Sequence, residues 1–388
     1  MCTSFINYII ALVFLQYIME NHPRGSDDPP SNDKKPSANE TSKPRLRQAM
    51  KFPADLEKKI AAFHREIAGA SSILILTHDY PDPDCIASAF GISHLLSFWG
   101  KSTSVISFGG FVGRAENRAM IRFLNISTIP YVLLEIKDYD CIICVDCFPG
   151  HNNVSLPASI KVNAVFDHHR IEHLDQCQFL CDVRSDLGAT STLVTEYLVK
   201  THCPIPQKLA TGLFYGIMTD TGDMGRDASV EDLECSKILF EAMDQRLLAR
   251  IEHPGRDVEF FRMFNRAAKS MTIFDSVGYI DIGQVHSPDY IGEMADIFHS
   301  LEKIEFTLCT GIFKKNIFFS IRCKTHDDAG VLAETIAASL HGGGGGHGKA
   351  GAGRIPLVAK NERETMAAFV SLFKNALNIA QVQSVSLL

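Results

Sequence analysis

The chain carries no excess of positive charge: 38 Lys and Arg stand against 45 Asp and Glu, a formal net charge of −7. That balance lacks the basic footprint with which proteins neutralise long nucleic acid. The dense, even cysteine spacing of a small disulfide scaffold is also missing. The 11 cysteines are odd in number and scattered from Cys2 to Cys323, the usage of a reducing compartment. No internal repeat is evident, and no Lys or Arg precedes the apolar run at the N-terminus. With no small-residue cleavage site after that run, a cleaved signal peptide is disfavoured. These absences favour a short anionic substrate held by local groups.

Residues 2–19 (CTSFINYIIALVFLQYIM) are about long and apolar enough to span a bilayer, although Asn7 and Gln16 weaken the run. Residues 1–19 are therefore a candidate membrane anchor. The flank after them holds Arg24, Lys34, Lys35, Lys43, Arg45, Arg47 and Lys51, which places the remainder in the cytoplasm, tethered to the inner face of the membrane. Residues 20–50 are rich in Pro, Ser, Asn, Asp and Lys, cannot bury enough surface to fold, and read as a disordered linker.

The 388 residues, 46% of them hydrophobic, suffice for two folded domains. Short apolar runs at 72–77 (SILILT), 103–108, 141–145 (CIICV) and 162–166 (VNAVF) suit buried strands, and helical periodicity lies between them at 85–98 and 114–123. The expected architecture over 51–245 is α/β, a mainly parallel sheet with helices on both faces. Residues 230–251 read as mainly helical, 246–272 as a helical connector, and 273–388 as a smaller α/β domain. In that domain strands are expected near 276–282, 306–313 and 316–323, with helices at 329–340 and 362–380. Cys141, Cys144 and Cys147, with Cys177 or Cys181, have the residue types of a zinc or iron–sulfur ligand set. A strand at 141–145 argues against it, because residues three apart point to opposite faces.

Four acidic or histidine motifs each follow an apolar run, at the strand ends where open α/β sheets bind ligands. They are His78-Asp79-Tyr80-Pro81-Asp82-Pro83-Asp84, Asp146, Asp167-His168-His169, and Asp220 in Asp220-Thr221-Gly222-Asp223. So many anions in one place require cations, and mixed carboxylate and imidazole donors suit Mn²⁺, with Mg²⁺, Fe²⁺ or Co²⁺ as alternatives. Two divalent ions sharing a carboxylate are the apparatus of phosphoryl transfer. Independently, the run from Gly342 to Gly353 (GGGGGHGKAGAG) permits close backbone approach to an anion, with Lys349 adding charge and His347 a donor.

In order and spacing these motifs resemble the DHH phosphoesterases, the superfamily of RecJ-type exonucleases, nanoRNases and cyclic-dinucleotide phosphodiesterases. The resemblance implies that His78 and Asp82 bind one metal, that Asp84, His168 and Asp220 bind the other, and that Asp146 bridges. It makes Asp167, His168 and His169 the catalytic triplet, with Asp167 and His169 orienting ligands or touching phosphate. The glycine run resembles the GGGH signature of the DHH-associated C-terminal domain. By that likeness Gly344, Gly345, Gly346, His347 and Lys349 contact substrate, and Arg322, in Ser320-Ile321-Arg322-Cys323-Lys324, holds a terminal phosphate. Two positions depart from the family: Ala352 stands where Gly is familiar, and Asp223-Met224 where an aromatic is common.

The implied substrates are short oligoribonucleotides, linear dinucleotides such as pApA, or 3′-phosphoadenosine 5′-phosphate; no long-DNA module is evident. A polyphosphatase or pyrophosphatase is the alternative, since Gly188-Ala189-Thr190-Ser191-Thr192 resembles a stretch of those relatives as well. A membrane-tethered nucleotide-binding regulator is a third reading, and a homodimer an open expectation.

Overall fold

A computed structural model describes residues 50–388 other than 152, 158, 172–176, 178, 226, 325–328, 348, 358–361 and 378–383. The candidate anchor at 1–19 and all but the last residue of the 20–50 linker lie outside the described residues. Among the described residues no helix is long and apolar enough to cross a membrane.

Helix α1 (Leu56–Ile67) leads into the first sheet. Strand β1 (Ile73–Leu76), helix α2 (Pro83–Phe98), β2 (Ser104–Phe108), α3 (Ala115–Leu124), β3 (Thr128–Pro130), β4 (Cys141–Val145), β5 (Ala164–Asp167) and β6 (Leu180–Val183) follow in turn. The six strands run in the order β3-β2-β1-β4-β5-β6, and every pair is parallel. Because β1 and β4 are central, the chain leaves β1 toward one edge and β4 toward the other. The break in order between them opens a crevice at the carboxyl ends of the strands.

Burial explains the continuous apolar runs. Ile73, Ile75, Cys141, Ile143, Val145 and Phe166 face one core, while Leu74, Leu76, Ile142, Cys144 and Val165 face another. The first core is covered by the α-helices, where Phe63 of α1 meets Phe166 edge-on at 4.8 Å. The second is closed, among the described residues, by two single-turn 3-10 helices (Tyr131–Leu133 and Ile136–Asp138) and loop residues such as Val154 and Leu156. Among the described residues, the α-helices thus lie on the first face and the 3-10 helices on the second. Cys141 and Cys144 fall on opposite sides of β4, as strand alternation requires.

Helices α4 (Thr190–Lys200), α5 (Gln207–Asp220), α6 (Val230–Ala242) and α7 (Gln245–Glu252) complete this part, and α8 (Val258–Ser270) leads onward. The single helical stretch expected at 230–251 is two helices. Asp244 separates them by accepting hydrogen bonds from the Arg246 and Leu247 amides at 2.9 and 3.0 Å, an N-cap that starts a new helix.

The second sheet contains β7 (Thr272–Phe274), β8 (Val277–Gln284), β9 (Phe306–Phe313), β10 (Asn316–Cys323), β11 (Gly343–His347), β12 (Ala350–Pro356) and β13 (Ser384–Ser386). Their order is β11-β12-β10-β9-β8-β7-β13, antiparallel except between β8 and β9. Helices α9 (Asp289–His299), α10 (Ala329–Ser339) and α11 (Glu362–Ala376) accompany it.

The glycine run forms strand β11, at the edge of the sheet among the described residues and hydrogen-bonded to β12 with Gly344 opposite Gly353 and Gly346 opposite Gly351. Its glycines serve packing. A Cβ on Gly344 would stand 2.6 Å from the Ala333 carbonyl oxygen, and one on Gly351 2.1 Å from that of Ala329, so α10 lies directly on the strand backbones. Gly343 and Gly345 point the other way, with nothing within 4 Å of a built Cβ.

Candidate metal centre

All four motifs converge on the carboxyl edge of the first sheet. His78 follows β1; Asp82 caps α2, its carboxylate accepting from the Cys85 amide at 3.0 Å with Pro83 in the first helical position. Asp84 sits in the first turn of α2. Asp146 follows β4, Asp167 ends β5, His168 and His169 follow it, and Asp220 ends α5.

Asp146 is the hub. It is 2% exposed, and its backbone is left-handed at φ +57°, an unfavourable conformation for a non-glycine residue that turns its carboxylate across the strand ends. His78 Nε2 lies 3.6 Å from its Oδ2, and His168 Nε2 and His169 Nδ1 lie 3.6 and 3.7 Å from its Oδ1. His78 Nε2 is also 3.5 Å from Asp82, and His168 Nε2 3.0 Å from Asp220. Most of these separations are too long for hydrogen bonds and suit donors that share a cation. Two ligands about 2.1 Å from one ion stand about 3 Å apart at octahedral angles.

Three overlapping donor groups result: His78, Asp82, Cys85 and Asp146; Asp146, His168 and His169; and Asp84, His168 and Asp220. Within each, donor atoms lie within 4.8 Å of one another. Backbone carbonyls orient two rings. His78 Nδ1 is 2.9 Å from Asp79 O and His168 Nδ1 3.3 Å from Leu187 O, so a proton on Nδ1 leaves Nε2 of each ring as a donor atom toward the carboxylates. His169 differs: its Nδ1 is engaged with Asp167 at 2.7 Å.

The electrostatics fit divalent cations. Burial, followed by the charges of Asp146 and Asp220, pushes the Asp84 carboxyl well above the usual carboxylate range. Burial alone would lower the His168 imidazole, but its hydrogen bond to Asp220 and the carboxylates of Asp146 and Asp84 raise it to about 11. With the chain's own groups alone, the cluster balances its charge only by holding protons. One buried oxygen, Asp167 Oδ2, has no hydrogen-bond partner among the described residues. Carboxylates and imidazoles in this proportion are the donor set of Mn²⁺ and its neighbours.

Residues that sequence reasoning passed over hold the cluster together. The Thr190 and Ser191 amides, at the start of α4, donate to the two oxygens of Asp84 at 2.7 and 2.8 Å, and the Thr190 hydroxyl donates to Asp146 at 2.7 Å. Asp232 of α6 in turn accepts from the Gly188 amide at 2.8 Å and the Thr192 hydroxyl at 2.5 Å. The stretch Gly188–Thr192 was visible in sequence only as a likeness; here it offers donors to three carboxylates, those of Asp84, Asp146 and Asp232. Cys85 was also overlooked, since one cysteine beside an Asp carries no sequence signal.

The remaining candidates belong to the second sheet. Arg322 lies on β10, with Nε on Asp296 Oδ1 at 2.5 Å and Nη1 on the Ser320 hydroxyl at 2.7 Å. Gly344, Gly345 and Gly346 lie on β11. Lys349 is exposed in the following turn, its carbonyl accepting from the Cys323 amide at 2.9 Å. The His347 side chain is outside the described residues. An aromatic series joins the two sheets: Tyr80, in the first motif, is 5.3 Å from Phe111, which is 6.1 Å from Phe313 of β9.

Residues 72–217 match the model of the DHH family N-terminal domain and residues 275–378 that of the DHHA1 domain. An uncharacterized protein of Methanocaldococcus jannaschii is 32% identical over 303 residues, 77% of this chain and 61% of that protein. A probable manganese-dependent inorganic pyrophosphatase of Enterococcus faecalis is 26% identical over 151 residues, 39% of this chain and 48% of that protein. The chain thus spans between about half and three fifths of these relatives. A crystal structure of an exopolyphosphatase-related protein from Bacteroides fragilis shares the fold, with a TM-score of 0.65 at 18% identity over 82% of this chain and 96% of that one. With both models matched in sequence and the four motifs gathered at one sheet edge, the chain carries a DHH family N-terminal domain followed by a DHHA1 domain.

Proposed function

We propose that the protein is a metal-dependent phosphoesterase that hydrolyses short nucleotide substrates, oligoribonucleotides of a few residues or linear dinucleotides such as pApA. The observation that carries this reading is Asp146, a buried carboxylate facing three imidazoles between two sets of donors. His78 and Asp82 would hold one divalent ion, and Asp84, His168 and Asp220 a second, with Asp146 shared. Mn²⁺ suits the donors best. Such ions, when bound, supply Lewis acidity and make water a better nucleophile at neutral pH.

The chain's own groups do the rest. Thr190 and Ser191 fix the carboxylates of Asp84 and Asp146 before any ligand arrives, so little reorganisation is needed. Asp167 orients the His169 ring. Burial alone would lower that imidazole, but its hydrogen bond to Asp167 and the charge of Asp146 raise it. The second sheet contributes Arg322 and the open side of β11, and supports a preference for substrates with a second phosphate.

The pyrophosphatase relatives favour a second reading, hydrolysis of pyrophosphate or polyphosphate. Their likeness covers 151 residues, however, 39% of this chain. A panel of pApA, oligoribonucleotides, cyclic dinucleotides, pyrophosphate and polyphosphate, offered to Mn²⁺-loaded protein, separates the two. Turnover of pApA or short RNA that disappears in Asp146→Asn supports the first reading. Cleavage of pyrophosphate alone replaces it with the second.

A further inference from the structure

Cys85 sits at the third position of α2, the helix that Asp82 caps and Pro83 opens. Its amide donates to Asp82 Oδ1 at 3.0 Å and its thiol to the Asp82 carbonyl oxygen at 3.4 Å, and the thiol is also within hydrogen-bond reach of the His78 ring. The residue is fully buried. Its Sγ, a His78 ring nitrogen and one carboxylate oxygen each of Asp82 and Asp146 all lie within 4.8 Å of one another. Ten cysteines are described, all of them free thiols, and no other joins such a donor group among the described residues.

A buried thiol is often core filling, and Cys85 does border the first core. Three features go beyond that. His78 Nε2 stands 3.5 Å from Asp82 Oδ2 and 3.6 Å from Asp146 Oδ2. Donors at tetrahedral angles, with sulfur about 2.3 Å and nitrogen or oxygen about 2.0–2.1 Å from an ion, stand about 3.3–3.6 Å apart. The first turn of a helix also favours a thiolate, because the dipole presents its positive end there. Finally, the thiol's contact with the Asp82 carbonyl is a weak S–H bond, given up at little cost.

The two metal positions then differ in one respect. Each has an imidazole and shares Asp146, but the second set, Asp84, His168 and Asp220, offers only nitrogen and oxygen. Sulfur belongs to the first set alone, and thiolate ligands favour Fe²⁺, Co²⁺ or Zn²⁺ over Mn²⁺ or Mg²⁺.

We propose that Cys85 is a thiolate ligand of the ion held by His78, Asp82 and Asp146, and that the two positions are therefore unequal, the first taking a softer divalent ion than the second. This deepens the two-ion reading and rests on it for the presence of the ions. When the ion binds, the S–H bond breaks, its proton passes to solvent, and the electron pair left on sulfur forms the bond to the metal. No electron changes owner, so no oxidant is needed.

The test is titration of the full, metal-stripped chain with Co²⁺ alone. Bound Co²⁺ absorbs weakly in the visible whatever its ligands, and a thiolate adds an intense near-ultraviolet charge-transfer band. The parent should show both. Cys85→Ser, close in size, should keep the visible absorption and lose the band; Cys85→Ala serves if the serine variant does not fold. In competition titrations Cys85→Ala should bind Co²⁺ more weakly by at least the about 10–100-fold that loss of an outer-shell partner costs, and Mn²⁺ by much less. A band missing from the parent, a band that survives in these variants, or equal losses of Co²⁺ and Mn²⁺ affinity overturns the thiolate and leaves Cys85 as a core residue. No visible absorption at any Co²⁺ concentration discards the metal centre and the proposal together. Because the readout is spectroscopic, the remaining claims separate: the band in a protein that hydrolyses nothing keeps the ligand and discards the phosphoesterase, and turnover without the band does the reverse.

Discussion

Replacing Asp232 with Ala perturbs the metal centre through a residue that binds no metal. The carboxylate is fully buried. Its Oδ2 accepts from the Gly188 amide at 2.8 Å and from the Ser229 amide and hydroxyl at 2.7 Å each, and its Oδ1 from the Thr192 hydroxyl at 2.5 Å. Ser229 is only half-buried, so its two donors can turn to water. Gly188 and Thr192 are buried and cannot. Stranding two buried donors costs about 1–3 kcal/mol each, and losing the Ser229 and Asp232 capping box of α6 costs about 1 kcal/mol more. A total of about 3–7 kcal/mol corresponds to a fall in Tm of about 6–28 °C at roughly 2–4 °C per kcal/mol. The loosened turn also presents Thr190 and Ser191 less well to Asp84 and Asp146, so Mn²⁺ affinity should drop by about 10–100-fold. Thermal unfolding and Mn²⁺ titration measure the two effects. If Asp232→Ala keeps both the Tm and the Mn²⁺ affinity of the parent, the chain of support from α6 to the carboxylates is wrong. Asp232→Asn, which keeps an acceptor for Gly188, should lose much less.

Three further outcomes are expected. Gly344→Ala should cost about 1–3 kcal/mol in urea unfolding, because its Cβ meets the Ala333 backbone, whereas Gly345→Ala should stay within about 0.5 kcal/mol. Mn²⁺ at a hundred times its Kd should stabilise the protein by about 2.7 kcal/mol, an increment that chelation or Asp146→Asn removes. Glu196 is fully buried, and burial outweighs its ion pair with Arg184 to raise its carboxyl from 4.5 to about 7. The folded state then binds the extra proton, so this contribution is complete below pH 4.5 and is lost as pH rises through about 7, an upper bound of about 3 kcal/mol. Glu196→Gln should flatten that part of the stability profile; an unchanged slope between pH 5 and 7.5 would rule the assignment out.

The strands of the first sheet were legible because both faces are buried, which leaves continuous runs such as CIICV with no polar alternation. Three of the four candidate metal-binding motifs were legible for a related reason: each follows such a run directly, and parallel strands bring their ends to one edge, whereas Asp220 ends helix α5. What stayed hidden involves contacts distant in sequence. Asp232 reaches Gly188 across 44 residues and Arg114 reaches Asp296 across 182, and no local pattern announces either. The packing of the glycine run was not legible for a physical reason: absence of side chains permits close approach of an anion, and it equally allows a helix to rest on a strand, as α10 does.

Asp82 and Asp84 have structural duties besides chemistry. Asp82 starts α2 and Asp84 holds the first amides of α4, so the order in which such a protein can lose its activity is constrained. A descendant without metal chemistry could shed His78 at smaller cost to its architecture than either of these two aspartates. Retained aspartates at these positions would then be a poor marker of a working enzyme, and the histidine at position 78 a better one.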